Sequence, residues 1–255
     1  MPHIEANGAS LFYDQVGSGA PAIVLPGMFE SGRSHARLAL TLSSRFRVIM
    51  PDLRGYGRSR PPQRRFADDF YQRDAADMAA LLTGLGLHDV RVVGAGDGAE
   101  VALLLAIRHP HLVRSIVAVD VSGAFAPGLL ELLPHIANWE DPSANPEDMA
   151  HRNRVVREYG LETTLETWRQ WKVAVRAILE HGGNISLAQA GAITSPVLIL
   201  NGAADPLNTP AMSQELAATI PRAELRLVPD VRQLVYSPGR QSGFGDLVLE
   251  WLAAH

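Results

Sequence analysis

Apolar and polar positions alternate along this chain in two different periods, and the alternation itself is regular. Short apolar runs of strand character occur at Ala22 to Pro26, Arg47 to Met50, Val90 to Val93, Ser115 to Val119, Val197 to Leu200 and Glu224 to Val228. Between them lie segments whose apolar residues recur every three or four positions: Ser34 to Leu42, Arg73 to Leu85, Gly98 to Arg108, Ala211 to Ile220 and Gly243 to Ala254. The first period suits a strand buried on both faces, and the second an amphipathic helix. Strand–helix alternation of this kind predicts an α/β fold, a mostly parallel, doubly wound sheet covered by helices.

One stretch breaks the alternation. From about Ala124 to Ala190 there are three helical patterns, Pro127 to Ala137, Pro146 to Tyr159 and Leu161 to Glu180, and no convincing strand. Asn145-Pro146-Glu147-Asp148 reads as a helix start, with a cap residue, a proline in the first turn and acids at the positive end of the dipole. The stretch reads as a helical cap, dividing the chain into core 1–123, cap 124–190 and core 191–255. Its aromatic residues Phe125, Trp139, Tyr159, Trp168 and Trp171 are candidates for lining an apolar pocket or for joining the cap to the sheet.

Composition narrows the chemistry. With 255 residues, 47% hydrophobic and 20% charged, the chain is ordinary for a globular domain with an insertion. A net charge of −4 without a basic block gives no reason to expect nucleic acid as a partner. The absence of cysteine excludes disulfides, thiolate metal sites and cysteine nucleophiles. No spacing of His, Asp or Glu suggests a metal site, and no cofactor motif is visible. Lys172 is the only lysine and sits in a helical pattern between Trp171 and Val173, which leaves little room for Schiff-base chemistry. Met1-Pro2-His3-Ile4-Glu5 is no signal peptide, and no apolar run has membrane-spanning length. The expectation is a cytoplasmic protein, monomer or homodimer, without a membrane or nucleic-acid partner.

Several motifs together resemble the α/β-hydrolase fold superfamily, with an epoxide hydrolase, dehalogenase or esterase-like framework. Asn7-Gly8, Leu11-Phe12-Tyr13 and Gly17-Ser18-Gly19 are similar to its N-terminal hairpin. Pro51-Asp52-Leu53-Arg54-Gly55-Tyr56-Gly57-Arg58-Ser59 matches its strand-four loop, and Leu200-Asn201-Gly202 with Asp205-Pro206 its acid-bearing segment. Gly94-Ala95-Gly96-Asp97-Gly98 stands where the family's nucleophile elbow belongs, a strained turn between strand and helix. Two registers are open. With Gly96 central, the small flanking residues are Gly94 and Gly98. With Asp97 central they are Ala95 and Ala99, and aspartate is a competent nucleophile. The family's spacing back from His109-Pro110 lands on Gly96.

In that register the resemblance implies a degenerate triad. Where the family has His-Gly after its third strand, this chain has Pro26-Gly27. Gly96 takes the nucleophile's place, and Gln233 in Val228-Pro229-Asp230-Val231-Arg232-Gln233-Leu234 takes the histidine's. Only Asp205 of the triad survives, and a glutamine cannot carry a proton between groups. The oxyanion hole that the family builds from backbone amides would use Met28, beside Phe29, and Asp97. Asp97 is a candidate general base or substrate contact, or simply a helix cap. Glu100 reads as a surface acid complementing the helix dipole, and His135, His151 and His181 as cap histidines, structural or solvated as lone histidines usually are, with reach over the pocket as the alternative.

Three functions follow. The first is a cofactor-independent, non-hydrolytic enzyme, a cyclase, pericyclase, lyase or isomerase, acting on a hydrophobic compound such as a natural-product intermediate. The second is a hydrolase with Asp97 as nucleophile. The third is a catalytically dead ligand-binding homologue. The site expected in the first case comprises Asp97, Asp205 and Gln233, with Pro26, Gly27, Met28, Phe29, Gly96, Gly98 and the five cap aromatics around the substrate.

Overall fold

The computed structural model describes residues 2–61, 63–136, 139–140, 146–234 and 243–255. It begins with a tight hairpin, β1 (His3–Ala6) and β2 (Ala9–Val16), in register Ala6↔Ala9. Asn7 and Gly8 both have positive φ, 49° and 75°, the backbone that a two-residue hairpin turn needs and that Asn-Gly tolerates best. β3 (Ala20–Leu25), β4 (Phe46–Pro51), β5 (Val90–Ala95), β6 (Val113–Val119), β7 (Val197–Gly202) and β8 (Ala223–Val228) complete an eight-stranded sheet. Its order is β1-β2-β4-β3-β5-β6-β7-β8, parallel from β4 through β8 and antiparallel at the hairpin end.

The central strands are apolar on both faces because helices cover both. Ile23, Leu25 and Val92 face α2 (Phe70–Gly84) and α3 (Asp97–Arg108), whereas Val24, Val93 and Val117 face α1 (Ala36–Leu42) and α8 (Phe244–Ala254). α7 (Pro210–Thr219) packs beside β7 and β8, its start capped by Thr209, whose Oγ1 accepts from the Met212 amide. The predicted strands and core helices all form, most of them extended by a few residues.

Between β6 and β7 lie α4 (Leu129–Ile136), α5 (Pro146–Tyr159) and α6 (Leu161–Glu180). Asn145, expected to cap α5, falls outside the described residues. In α6, Thr164, Thr167, Trp168, Trp171, Ala174, Val175 and Ile178 are buried, a stripe at three- and four-residue spacing. The two chain crossings into this helical segment are clasped together. The Phe125 amide donates to Gly183 O at 2.8 Å, and the Ile185, Ser186 and Leu187 amides all converge on Gly123 O. Among the described residues no helix is long and apolar enough to cross a membrane.

Candidate active site

The junction of β5 and α3 settles the register. Gly96 has φ 53° and ψ −120°, and its N–H donates to Val119 O at 2.9 Å. This is the strained turn of an elbow, and it falls on Gly96 rather than Asp97. A Cβ on Gly94 or Gly98 would run into the backbone of α3's first turn or of the β3 end, so both neighbours must be glycine for helix and sheet to approach. At Gly96 itself a Cβ would meet nothing within 4 Å. The place for a nucleophile is kept open, and no side chain occupies it.

Asp97, the first residue of α3, does not act as the helix cap. Its carboxylate turns aside: Oδ1 accepts from the Tyr71 hydroxyl at 2.7 Å, and Oδ2 is shielded from water with no partner among the described residues. Burial pushes its pKa up to about 6, against the Tyr71 bond and the nearby Arg64 guanidinium, which favour the charged form. Burial likewise raises the Tyr71 phenol well above its ordinary value, with the Asp97 charge adding to the effect. Tyr71 is buried on α2, its ring tilted by 33° against that of Phe70 at 3.9 Å between ring centres. Behind this pair, Arg64 is buried in an ion pair with Asp74.

Asp97 and Gly96 form the floor of a cavity of about 160 Å³. Its wall is aromatic. Phe29 lies 4.5 Å from Trp139, Trp139 5.7 Å from Trp168, and Trp168 5.1 Å from Trp171, at interplanar angles of 23°, 20° and 14°. Phe125 stands between this row and Tyr71, 6.1 Å from Trp171 and 6.2 Å from Tyr71. The cap thus contributes most of the aromatic rings of the wall, and the core contributes the carboxyl groups of Asp97, Glu100 and Asp120.

The mouth of β3 adds a second polar element. The Gly27 N–H is engaged by Glu30 Oε2 at 3.0 Å. Neither the Met28 nor the Asp97 amide has an acceptor among the described residues. Met28 and Asp97 are the two amides expected to form an oxyanion hole. Glu30 is buried, which alone would raise its pKa. His35 at 2.8 Å, the Gly27 amide and Arg154 at 3.3 Å outweigh burial and hold it down at about 2. Arg154 also meets His151 Nδ1 at 2.7 Å. An arginine can only donate, so this nitrogen accepts and the His151 proton sits on Nε2. Burial, with Arg154 adding to it, depresses His151 to about 4, so the ring is neutral at physiological pH.

Of the residues expected at the site, Gly27, Met28, Phe29, Gly96, Asp97, Phe125, Trp139, Trp168, Trp171 and Gln233 line the cavity. Pro26, Gly98, Tyr159 and Asp205 do not. Pro26 and Gly98 pack backbone to backbone beneath the elbow, and the Tyr159 hydroxyl accepts from the Gly57 amide at 3.2 Å, joining cap to core. Asp205 is buried in its own loop, accepting from the Leu207 amide at 2.8 Å and from Asn208 Nδ2 at 3.3 Å. His151 lines the cavity, whereas His135 and His181 are exposed.

Glu100 overturns the surface reading. It is buried one turn into α3, lines the cavity, and accepts from the Gly123 amide and the Ser186 hydroxyl, each at 2.7 Å. Burial lifts its pKa to about 7. A helix-dipole argument placed it at the right end of α3 but had no way to see that both cap crossings pack over that turn. Tyr71, Asn208 and the Glu30–His35–Arg154 cluster also escaped the sequence reading, because Tyr71 meets Asp97, Asn208 meets Ser122 and Arg154 meets Glu30 only across 26, 86 and 124 residues. Among the described residues, no group of three His, Asp or Glu side chains is arranged to hold a metal ion.

The comparisons with known proteins agree with this architecture. A family model described as alpha/beta hydrolase fold matches residues 21–156. The chain is 30% identical over 234 residues to a mouse protein named serine hydrolase BPHL, covering 89% of this chain and 78% of that one. It is 28% identical over 254 residues to the mouse sn-1-specific diacylglycerol lipase ABHD11, covering 91% and 81%. The enol-lactonase from Burkholderia xenovorans LB400 superposes with a TM-score of 0.76 at 22% identity, over 99% of this chain and 100% of that one. On its sheet order, its elbow and these likenesses, the chain belongs to the α/β-hydrolase fold family.

Proposed function

We propose that this protein is a cofactor-independent, non-hydrolytic enzyme that moves a proton on a hydrophobic carbonyl compound. Isomerases, lyases and aldol-type cyclases share that step. The observation that carries the reading is the Asp97 carboxyl. One oxygen is held by Tyr71, the other has no partner among the described residues, and its pKa lies near neutrality beside an elbow without a nucleophile. A base is most effective when its pKa lies near the working pH. In the proposed step the ionised Asp97 takes a proton from the carbon next to the substrate carbonyl. The electron pair left behind moves onto the carbonyl oxygen, and the Met28 and Asp97 amides stabilise the enolate. Protonated Asp97 then returns the proton, at the same or another atom. A pericyclic ring closure would use only the shape of the same cavity.

The hydrolase names of the relatives favour a second reading, in which Asp97 attacks the substrate and forms an ester. Against it, Asp97 lies in the first turn of the helix rather than at the elbow, and Gln233 cannot activate the water that would cleave the ester.

The test is α-carbon deuterium exchange of 1-tetralone in D2O, followed by mass spectrometry for the protein and for Asp97→Asn. The expected result is accelerated exchange that falls about 100-fold or more in the variant. The wild-type rate should climb as pH rises through about 6, as Asp97 ionises, and level off above. Equal exchange by both proteins would sink the proton-transfer reading. Hydrolysis of an ester, epoxide or haloacid panel that disappears in Asp97→Asn, with an Asp97 adduct in the intact mass, would replace it with the second.

A further inference from the structure

The loop after β3 is held in a shape that its own residues disfavour. Phe29 has φ 60°, the left-handed backbone that a bulky side chain rarely adopts. The Glu30 N–H donates to Gly27 O at 3.2 Å, which closes a turn over Met28 and Phe29. Such a turn favours glycine where Phe29 stands. Strained backbone persists only where its surroundings over-determine it, and it concentrates at functional sites.

Two groups hold this turn. The Phe29 ring is stacked on Trp139 of the cap, with 4.5 Å between ring centres. The Glu30 carboxylate reaches back to the Gly27 N–H at 3.0 Å. Glu30 therefore ties the Pro26–Gly27 peptide through its N–H and the Gly27–Met28 peptide through its C=O. In a planar trans peptide the N–H points opposite to the C=O. Fixing Gly27 O inside the turn thus aims the Met28 N–H out of it.

Glu30 is itself held from two further elements. Its Oε2 also accepts from His35 Nε2 at 2.8 Å, and its Oε1 accepts from Arg154 Nη2 at 3.3 Å. Arg154 stands on α5 of the cap and is half-exposed, whereas Glu30 is buried. One carboxylate is the joint between the loop and the cap.

We propose that Glu30 is a positioning residue, which sets the Met28 amide and, through Arg154, makes that setting depend on how the cap is seated. Its meaning for catalysis rests on reading the Met28 amide as an enolate donor, and the coupling rests on the loop geometry alone. A bare structural ion pair would tie cap to core and leave Met28 where it is.

Labelling the methionines with 15N lets the Met28 amide be followed by NMR, identified by its loss in Met28→Leu. Arg154→Ala removes the partner borne by the cap at a half-exposed position, and it also releases His151. Glu30→Gln leaves Arg154 on His151. Its amide has a single acceptor oxygen, enough for Gly27 and His35 but not for Arg154 as well. Only loss of the Glu30–Arg154 contact is common to the two variants. The Met28 signal should move in the same direction in both, while Met78 on α2 and Met212 on α7 stay in place. In deuterium exchange of 1-tetralone, each should lower the saturated rate about tenfold with KM within about twofold, because an oxyanion donor counts for more in the transition state than in the bound ketone. The double variant should lose no more than the more damaged single, since both break one contact. An unmoved Met28 signal in Arg154→Ala would overturn the proposal, as would additive losses in the double variant. Movement unlike that in Glu30→Gln would trace to the released His151 and overturn it equally. Should Glu30→Gln not fold, seen as displacement of Met78 and Met212, Arg154→Ala decides alone. A wild-type protein without exchange would end the proton-transfer reading, and the Met28 signal would still decide the coupling. Exchange that persists with an unmoved Met28 signal ends only the role given to Glu30.

Discussion

Two aspartates, one after β5 and one after β7, have gone opposite ways. Asp205 occupies the position that the family gives to the acid of its triad, yet its oxygens accept from Leu207 and Asn208 of its own loop. Asp97 has no inherited role in this register, yet it keeps one oxygen uncommitted at the floor of an aromatic cavity. Inherited position is therefore a poor guide to chemical capacity. A carboxylate whose lone pairs are already engaged serves the loop, and one held by a single phenol at a pKa near 6 is poised to exchange a proton.

The sharpest way to break this comparison is to neutralise each acid in turn. Asp97→Asn should abolish nearly all activity, whereas Asp205→Asn should leave the rate within about threefold and lower stability by about 1 kcal/mol, one net hydrogen bond. Turnover and urea melts of the two variants check this, and a larger catalytic loss at Asp205 would reverse the assignment. Stability should also separate them. Because the folded Asp97 pKa is raised from 3.8 to about 6, its ionisation opposes folding, and that penalty accumulates as pH rises between those values. Asp97→Asn should then melt roughly 6–12 °C higher at pH 8 and no higher at pH 3.5.

Glu100 sharpens the comparison as a third acid that is fully satisfied but spans core and cap. Glu100→Ala strands the Gly123 amide and the Ser186 hydroxyl in the interior and should cost about 2–4 kcal/mol. Glu100→Gln can still meet both groups. It should also remove the loss of stability expected as pH rises from 4.5 to about 7, where only the unfolded state ionises. Urea melts across that range test both statements, and an equal cost for Ala and Gln would show that the two hydrogen bonds are not what Glu100 contributes.

The smallest effect belongs to Gly96. Gly96→Ser has open space for its side chain but must adopt φ near 53°, at a cost of about 1 kcal/mol. No esterase activity should appear, because Gln233 cannot take the serine proton. Hydrolysis of a simple aryl ester by this single variant would mean that His151 or another base reaches the elbow.

Much of this was readable along the chain. The periods of apolar residues fixed strands and helices, because burial on one face or two leaves its mark every second or every third and fourth residue. The Gly94-x-Gly96-x-Gly98 spacing located the elbow, since close backbone approach admits nothing larger at its flanks. That Gly96 and Gln233 stand where the resemblance places a nucleophile and a histidine was readable from residue identity, but the choice between Gly96 and Asp97 as the centre of the elbow stayed open along the chain. Tertiary structure decided what replaced them. Tyr71 meets Asp97 across 26 residues, Ser186 meets Glu100 across 86, and Arg154 meets Glu30 across 124. A pKa, a hydrogen-bond partner and the choice between surface and interior are set by whatever the fold brings alongside a group. No local pattern encodes that neighbour, so the elbow could be found from the sequence and the acid beside it understood only in three dimensions.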